Sequence, residues 1–175
     1  MKKQPKIIVI TGAESTGKST LTERLAKHFN VPFIPEIARE YIENLGHKYD
    51  YNDVENIARI QIEQFKKLEN SDAEYIFLDT WLIVTKIWFE FVYQKIPDWL
   101  PGEVERTRIA LFLVCDIDLP WIADPVRENG GENRKILQNK YIHNIIKYNF
   151  DYKIVSGLND IRFKNALKFI SNLKK

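Results

Sequence analysis

Residues 10–20 read ITGAESTGKST and follow the apolar run IIVI. Gly12, Ala13, Glu14, Ser15, Thr16, Gly17, Lys18 and Ser19 fit the pattern G-x-x-x-x-G-K-[ST], set between a predicted strand and a predicted helix. The glycines let the backbone curl until successive N–H groups converge on an anion. A helix opening near Lys18 adds unpaired N–H groups and its positive dipole end. Lys18 is placed to reach the β- and γ-phosphates of a nucleoside triphosphate, and the Ser19 hydroxyl to take one position on Mg²⁺. Gly12, Glu14, Ser15, Thr16, Gly17 and Thr20 are the further candidates to line that nucleotide. The alternative is a glycine-rich turn with no ligand, and the strand and helix on either side argue against it.

The partners of such a loop should follow other strands. Asp79 closes YIFLD, where an acid can hold the metal directly or through water. Its alternative is to cap the next helix, beside Thr80. Glu36 and Arg39 stand in PEIARE, after the second predicted strand. A carboxylate there can orient or deprotonate an acceptor hydroxyl, or else Glu36, Arg39 and Glu40 form a surface ion pair on one helix face. Gln61 interrupts the apolar stripe of Val54, Ala58, Phe65 and Leu68, so it is either bonded to backbone or aimed at a polar ligand. The four tryptophans are core residues by default, with Trp88 the candidate to stack on a substrate ring. In DLPWIADPVRENGGENR, Arg127 and Arg134 flank a Gly-Gly. That arrangement is either a lid closing over phosphates or a plain surface loop. His28, His47 and His143 have no metal-ligand spacing.

The elements that must position these residues alternate. Strands are predicted at Lys6–Thr11, Phe33–Ile34, Tyr75–Leu78 (ending at Asp79), Ile109–Cys115 and Tyr152–Val155. Helices are predicted over 19–29, over about 36–45 with a stop at Gly46, from an Asn52 cap to Leu68, and over 80–93, 133–148 and 160–173. A loop is expected around Pro97 and Pro101. This order implies an α/β fold, a parallel sheet of about five strands with helices on both faces. Ligands then bind at the carboxyl ends of the strands.

The 175 residues suggest a single domain. Apolar residues make up 45% and charged residues 29%, ordinary for a globular chain. A net charge of +2 is too small to make nucleic acid a main partner. The basic ends, Lys2, Lys3, Lys6, Lys174 and Lys175, read as solvated termini. The single cysteine, Cys115, excludes an intrachain disulfide and reads as a small core residue. Asp79, Lys86 and Glu90 interrupt the stretch IFLDTWLIVTKIWFEFVY, which argues against a membrane span. With no signal peptide, a cytoplasmic location is expected.

In order along the chain, GAESTGKST, PEIAREY, FLDTWLIVTKIW with FEF, and DIDLPWIADPVR resemble the ribosylnicotinamide kinase domain of the NadR family, a three-layer P-loop kinase. The resemblance runs from Ile7 to about Arg162, and the last three blocks carry more of its specificity than the phosphate loop does. It implies ATP and Mg²⁺ as cofactors and a nucleoside, nicotinamide riboside, phosphorylated on its 5′-hydroxyl to nicotinamide mononucleotide. It implies that Lys18 and Ser19 hold ATP and Mg²⁺, that Glu36 and Arg39 lie on the nucleoside side, that Asp79 serves the metal and that Arg127 lies in the lid. Full-length members of that family carry a helix-turn-helix and an adenylyltransferase domain in front. Only six residues precede Ile7, so neither is expected in this sequence.

Overall fold

In the computed structural model, which describes residues 4–173, β1 (Lys6–Thr11) lies at the centre of a five-stranded sheet. Its neighbours are β2 (Phe33–Ile34), β3 (Tyr75–Asp79), β4 (Ile109–Cys115) and β5 (Tyr152–Val155), in the order β2-β3-β1-β4-β5. Every pairing is parallel. The absence of polar alternation in IIVI has its reason here, since both faces of β1 are covered. Ile7 and Val9 join Ile76, Leu78, Phe112 and Val114 in one core. Ile8 and Ile10 join Phe77, Leu111, Leu113 and Cys115 in the other. Cys115 is a core residue, and burial pushes its thiol up to about 11, which keeps it unreactive.

The second core is closed by α1 (Lys18–Phe29) and α7 (Asp160–Ser171) through Leu21, Leu25, Ala166 and Ile170. The first is closed by α3 (Tyr51–Leu68), α4 (Leu82–Trp88), α5 (Leu100–Arg106) and α6 (Glu132–Lys147). The short α2 (Ile37–Glu43) buries no residue fully and rests beside α3. The result is three layers, α/β/α. Among the described residues no helix is long and apolar enough to cross a membrane. Lys2, Lys3, Lys174 and Lys175 lie outside the described residues.

Three local expectations are corrected. Asp50, not Asn52, caps α3. Its carboxylate accepts from the Asn52 and Asp53 N–H groups at 2.8 and 3.1 Å, and the Asp53 side chain returns a bond to the Asp50 N–H at 2.9 Å. That reciprocal box satisfies three N–H groups at the start of the helix, those of Asp50, Asn52 and Asp53. The segment around Pro101 is not a loop: it is α5, with Pro101 in its first turn, where a missing N–H costs nothing. The helix expected over 80–93 begins only at Leu82 and widens into a π-helical turn at Phe89–Tyr93. There the buried Lys86 ammonium bonds Glu90 at 2.5 Å and Asn144 at 3.1 Å. In addition, α2 stops at Glu43 with Asn44 as its cap, short of Gly46.

The strand order fixes where a ligand can go. From β1 the chain builds β2 and β3 on one side, then β4 and β5 on the other. The connections diverge at the carboxyl end of β1, which opens a crevice there.

Candidate active site

The loop after β1 enters that crevice. Gly12 has φ of 139°, and a Cβ on it would lie 2.7 Å from the Cys115 carbonyl, so only glycine lets the loop pass β4 this closely. Ser15 and Gly17 have φ of 57° and 75°, the left-handed turns that swing N–H groups inward. The Thr16 hydroxyl and the Lys18 ammonium both donate to the Ala13 carbonyl, at 2.8 and 3.1 Å. The first turn of α1 carries no side-chain cap, so its N–H groups face the crevice as an anion site.

Three buried polar side chains hold this loop from behind. Gln138 accepts from the Ala13 N–H at 3.0 Å and donates to the Cys115 carbonyl at 2.8 Å. Arg162 donates to the Thr16 carbonyl at 2.6 Å and the Gly157 carbonyl at 2.9 Å, and it pairs with Asp118. Arg134 donates to the carbonyls of Glu14 (3.1 Å), Leu119 (2.9 Å) and Ser15 (3.3 Å). Arg134, expected in the lid facing the nucleotide, is found beneath the loop. Its guanidinium is taken up by backbone oxygens under the loop, and it does not line the cavity. Gln138 and Arg162 escape a reading of motifs. Their only signal in the sequence is a polar residue among the apolar ones of a helix.

In front of the loop lies a cavity of about 380 Å³. One wall is the loop, from Gly12 and Glu14 through Thr20. Glu36, at the start of α2, and Arg39 form a second wall, and Val126–Asn129 a third. The cavity's apolar and aromatic lining comes from Tyr49, Val84, Ile87, Trp88, Phe91 and Val92. The π turn delivers the last two of these. The Trp88 and Tyr49 rings meet edge-on with centroids 5.0 Å apart. Residues scattered over more than a hundred positions thus converge: the loop, Glu36, Arg39, Trp88 and Arg127.

Gln61 does not join them. It is buried in the core, where its carbonyl oxygen accepts from the Thr85 hydroxyl at 2.9 Å, so neither a backbone bond nor a place on the cavity explains it. Asp79 also stays off the lining, beneath the loop. It does not cap α4, which has no side-chain cap. Its carboxyl is pushed up to about 6 by burial first and by the Glu36 charge next, against the pull of the Ser19 hydroxyl and the Lys18 ammonium. Its Oδ1 is buried without a hydrogen-bond partner among the described residues. An unpaired carboxylate oxygen beside a serine hydroxyl fits a hard, oxygen-seeking cation such as Mg²⁺.

The ion pair considered for Arg39 exists, with other partners. Arg39 donates to Glu43 at 3.2 Å and to Asp124 at 2.8 Å. Asp124 also takes Arg127 Nε at 3.0 Å, and Arg127 donates to the Ile122 carbonyl at 2.6 Å. Tyr49 donates to Glu128 at 2.9 Å, and burial pushes its hydroxyl up to about 12. The segment that carries Asp124, Arg127 and Glu128 is therefore tied to the cavity wall through Arg39 and Tyr49.

Asp79 gives a pH test of this arrangement. Its folded value is raised from 3.8 to about 6. The fold thus favours the protonated form, and the resulting stability is complete below pH 3.8 and lost as the pH rises through about 6. At 1.36 kcal/mol per pH unit the loss is about 3 kcal/mol. In urea titrations without nucleotide or metal, Asp79→Asn should remove most of that decline between about pH 4 and pH 7. An unchanged decline would mean that Asp79 is not the group responsible.

A parallel five-stranded sheet in three layers, with a phosphate loop after its central strand, defines a P-loop kinase fold. The chain belongs to the AAA domain family, whose family model matches residues 7–161. The trifunctional NAD biosynthesis/regulator protein NadR of Salmonella typhimurium is 25% identical over 172 residues, which are 95% of this chain and 42% of that protein. The chain thus spans less than half the length of this curated relative. Two crystal structures of NadR, one in complex with NR and one with NAD and AMP-PNP, superpose with TM-scores of 0.76 at 23% and 24% identity, over 97% of this chain and 49% of theirs. Thymidylate kinase from Ehrlichia chaffeensis shares the fold with a TM-score of 0.66 at 16% identity, over 98% of this chain and all of that one (100%).

Proposed function

We propose that this chain is a kinase that transfers the γ-phosphoryl group of ATP to the 5′-hydroxyl of nicotinamide riboside, giving nicotinamide mononucleotide. The observation that carries this reading is the cavity itself. One cavity is lined by the phosphate loop, by Glu36 and by an aromatic set that includes Tyr49, Trp88 and Phe91. A flat, cationic pyridinium ring suits that aromatic set, since Trp88 and Tyr49 offer π faces to a positive charge. The NadR structures with NR and with AMP-PNP support both halves of the reading.

The loop N–H groups and Lys18 bind and align the phosphates. Glu36 orients the acceptor hydroxyl and takes its proton. Ser19 and Asp79 would hold Mg²⁺, which supplies charge neutralisation on the phosphate oxygens. Arg127 meets the charge on the moving group, and the segment that carries it excludes water. Phosphoryl transfer asks mainly for positioning and charge, which these residues provide.

The test is ADP release with ATP and Mg²⁺ over nicotinamide riboside, thymidine, thymidylate and deoxyadenosine. Nicotinamide riboside should give the highest kcat/KM, and release with another acceptor alone would reassign the substrate. In the same assay Glu36→Gln should lower turnover by about a hundredfold or more while ATP affinity survives. A collapse of ATP affinity instead would put Glu36 on the nucleotide or metal.

A further inference from the structure

The Glu14 carboxylate belongs to the phosphate loop but, among the described residues, its hydrogen bonds go to the segment 121–129. One oxygen accepts from the Glu128 N–H at 3.2 Å and from Asn129 Nδ2 at 3.1 Å. The other accepts from the Asn129 N–H at 3.1 Å and from Trp121 Nε1 at 3.2 Å. The neighbouring Ser15 hydroxyl accepts from the Ile122 N–H at 3.1 Å and donates to the Ile122 carbonyl at 3.4 Å. Gly130 lies against the Trp121 ring, where a Cβ would come within 3.1 Å. Two consecutive loop residues thus grip segment 121–130 along its length. From below, Arg134 holds the Glu14 and Ser15 carbonyls, so the gripping residues are themselves fixed.

The chemistry fits a latch better than a nucleotide contact. A carboxylate aimed at a triphosphate would repel it. Aimed at two backbone N–H groups, an indole and an amide, it is neutralised by charge-assisted bonds and leaves the phosphates to Lys18 and the loop N–H groups. We propose that Glu14 is a positioning residue, a latch that fastens the lid to the phosphate loop and sets the closed position of Arg127. Because the latch sits four residues from Lys18 on the same loop, the loop conformation that cradles phosphates also presents the carboxylate to the lid. Closure and phosphate binding then share one piece of backbone. For its kinetic arm the inference rests on the function proposed above; its binding and exchange arms do not.

The experiment compares wild type with Glu14→Gln and Glu14→Ala. Deuterium exchange of the peptide spanning 121–131, in the presence of AMP-PNP and Mg²⁺, should quicken by about tenfold or more in Glu14→Ala, the factor for one charge-assisted bond. Glu14→Gln, which keeps one accepting oxygen, should lie between. AMP-PNP affinity should change by less than about threefold. With acceptor present, the ratio of ATP hydrolysed to acceptor phosphorylated should rise, because an unlatched lid admits water. Unchanged exchange, or a tenfold loss of AMP-PNP affinity with exchange unchanged, would overturn the latch and return Glu14 to the nucleotide or to no role. If Glu14→Ala does not fold, the near-isosteric Gln variant decides the matter on the same readouts. If wild type phosphorylates no acceptor, the proposed function fails while exchange and affinity still decide the latch.

Discussion

Arg127→Ala is expected to lower turnover by about a thousandfold or more, with a much smaller change in nucleoside affinity. Arg127 lines the cavity at the lid, and its Nε rests 3.0 Å from Asp124 on the same segment. Asp124 holds Arg39 of the facing cavity wall as well, so Arg127 is tied to that wall through a shared carboxylate. From there a planar, permanent charge can pass to the oxygens of the moving phosphoryl group, where it stabilises the transition state more than the ground state. Arg127→Lys should recover only part of the rate, because a point charge cannot span two oxygens as a fork does. Arg134→Ala should behave differently. It removes bonds to two phosphate-loop carbonyls and one to the Leu119 carbonyl, so its signature is a lowered melting temperature and weakened ATP binding. Steady-state kinetics beside thermal melts separate the two. Near-normal turnover in Arg127→Ala would remove the lid arginine from the mechanism.

Lys18→Ala should keep the fold and lower turnover by about a hundredfold to a thousandfold, the cost of losing one preorganised donor to developing charge. Lys18 opens α1 and lines the cavity, and its ammonium donates to the Ala13 carbonyl at 3.1 Å. Thr16 donates to that same oxygen at 2.8 Å, so the loop keeps a bond there when the lysine is gone. Circular dichroism should therefore be unchanged. The alanine variant should also show a higher Asp79 pKa, since the Lys18 charge pulls that carboxyl down. Unchanged ADP production at saturating ATP would refute the assignment of the loop.

What the sequence made legible were features with strong local physics. Runs such as IIVI and ALFLVC can be stable only with both faces buried, so a covered parallel sheet follows from them. The glycine spacing of the loop is dictated by positive φ and by the approach of Gly12 to Cys115. Less legible were features decided at a distance. Arg127 and Arg134 look alike beside Gly130 and Gly131. One stands ahead of α6 on the cavity, the other in its first turn facing the loop carbonyls. Gln61 stands out in an apolar stripe, but only the packing of α3 on α4 shows that Thr85 answers it. Pro97 and Pro101 read as loop punctuation because proline serves turns and first helical turns equally well. The Glu14 carboxylate sits in a motif whose pattern leaves its position open, and its partners lie more than a hundred residues away.

The most direct measurement is product analysis by ³¹P-coupled proton NMR after incubation of the chain with ATP, Mg²⁺ and nicotinamide riboside. A phosphate monoester coupled to the 5′ methylene protons, formed in step with ADP and abolished in Lys18→Ala, is the expected result. ADP formed with free inorganic phosphate and unmodified riboside, or no ADP at all while thymidine or deoxyadenosine is phosphorylated, would contradict a nicotinamide riboside kinase.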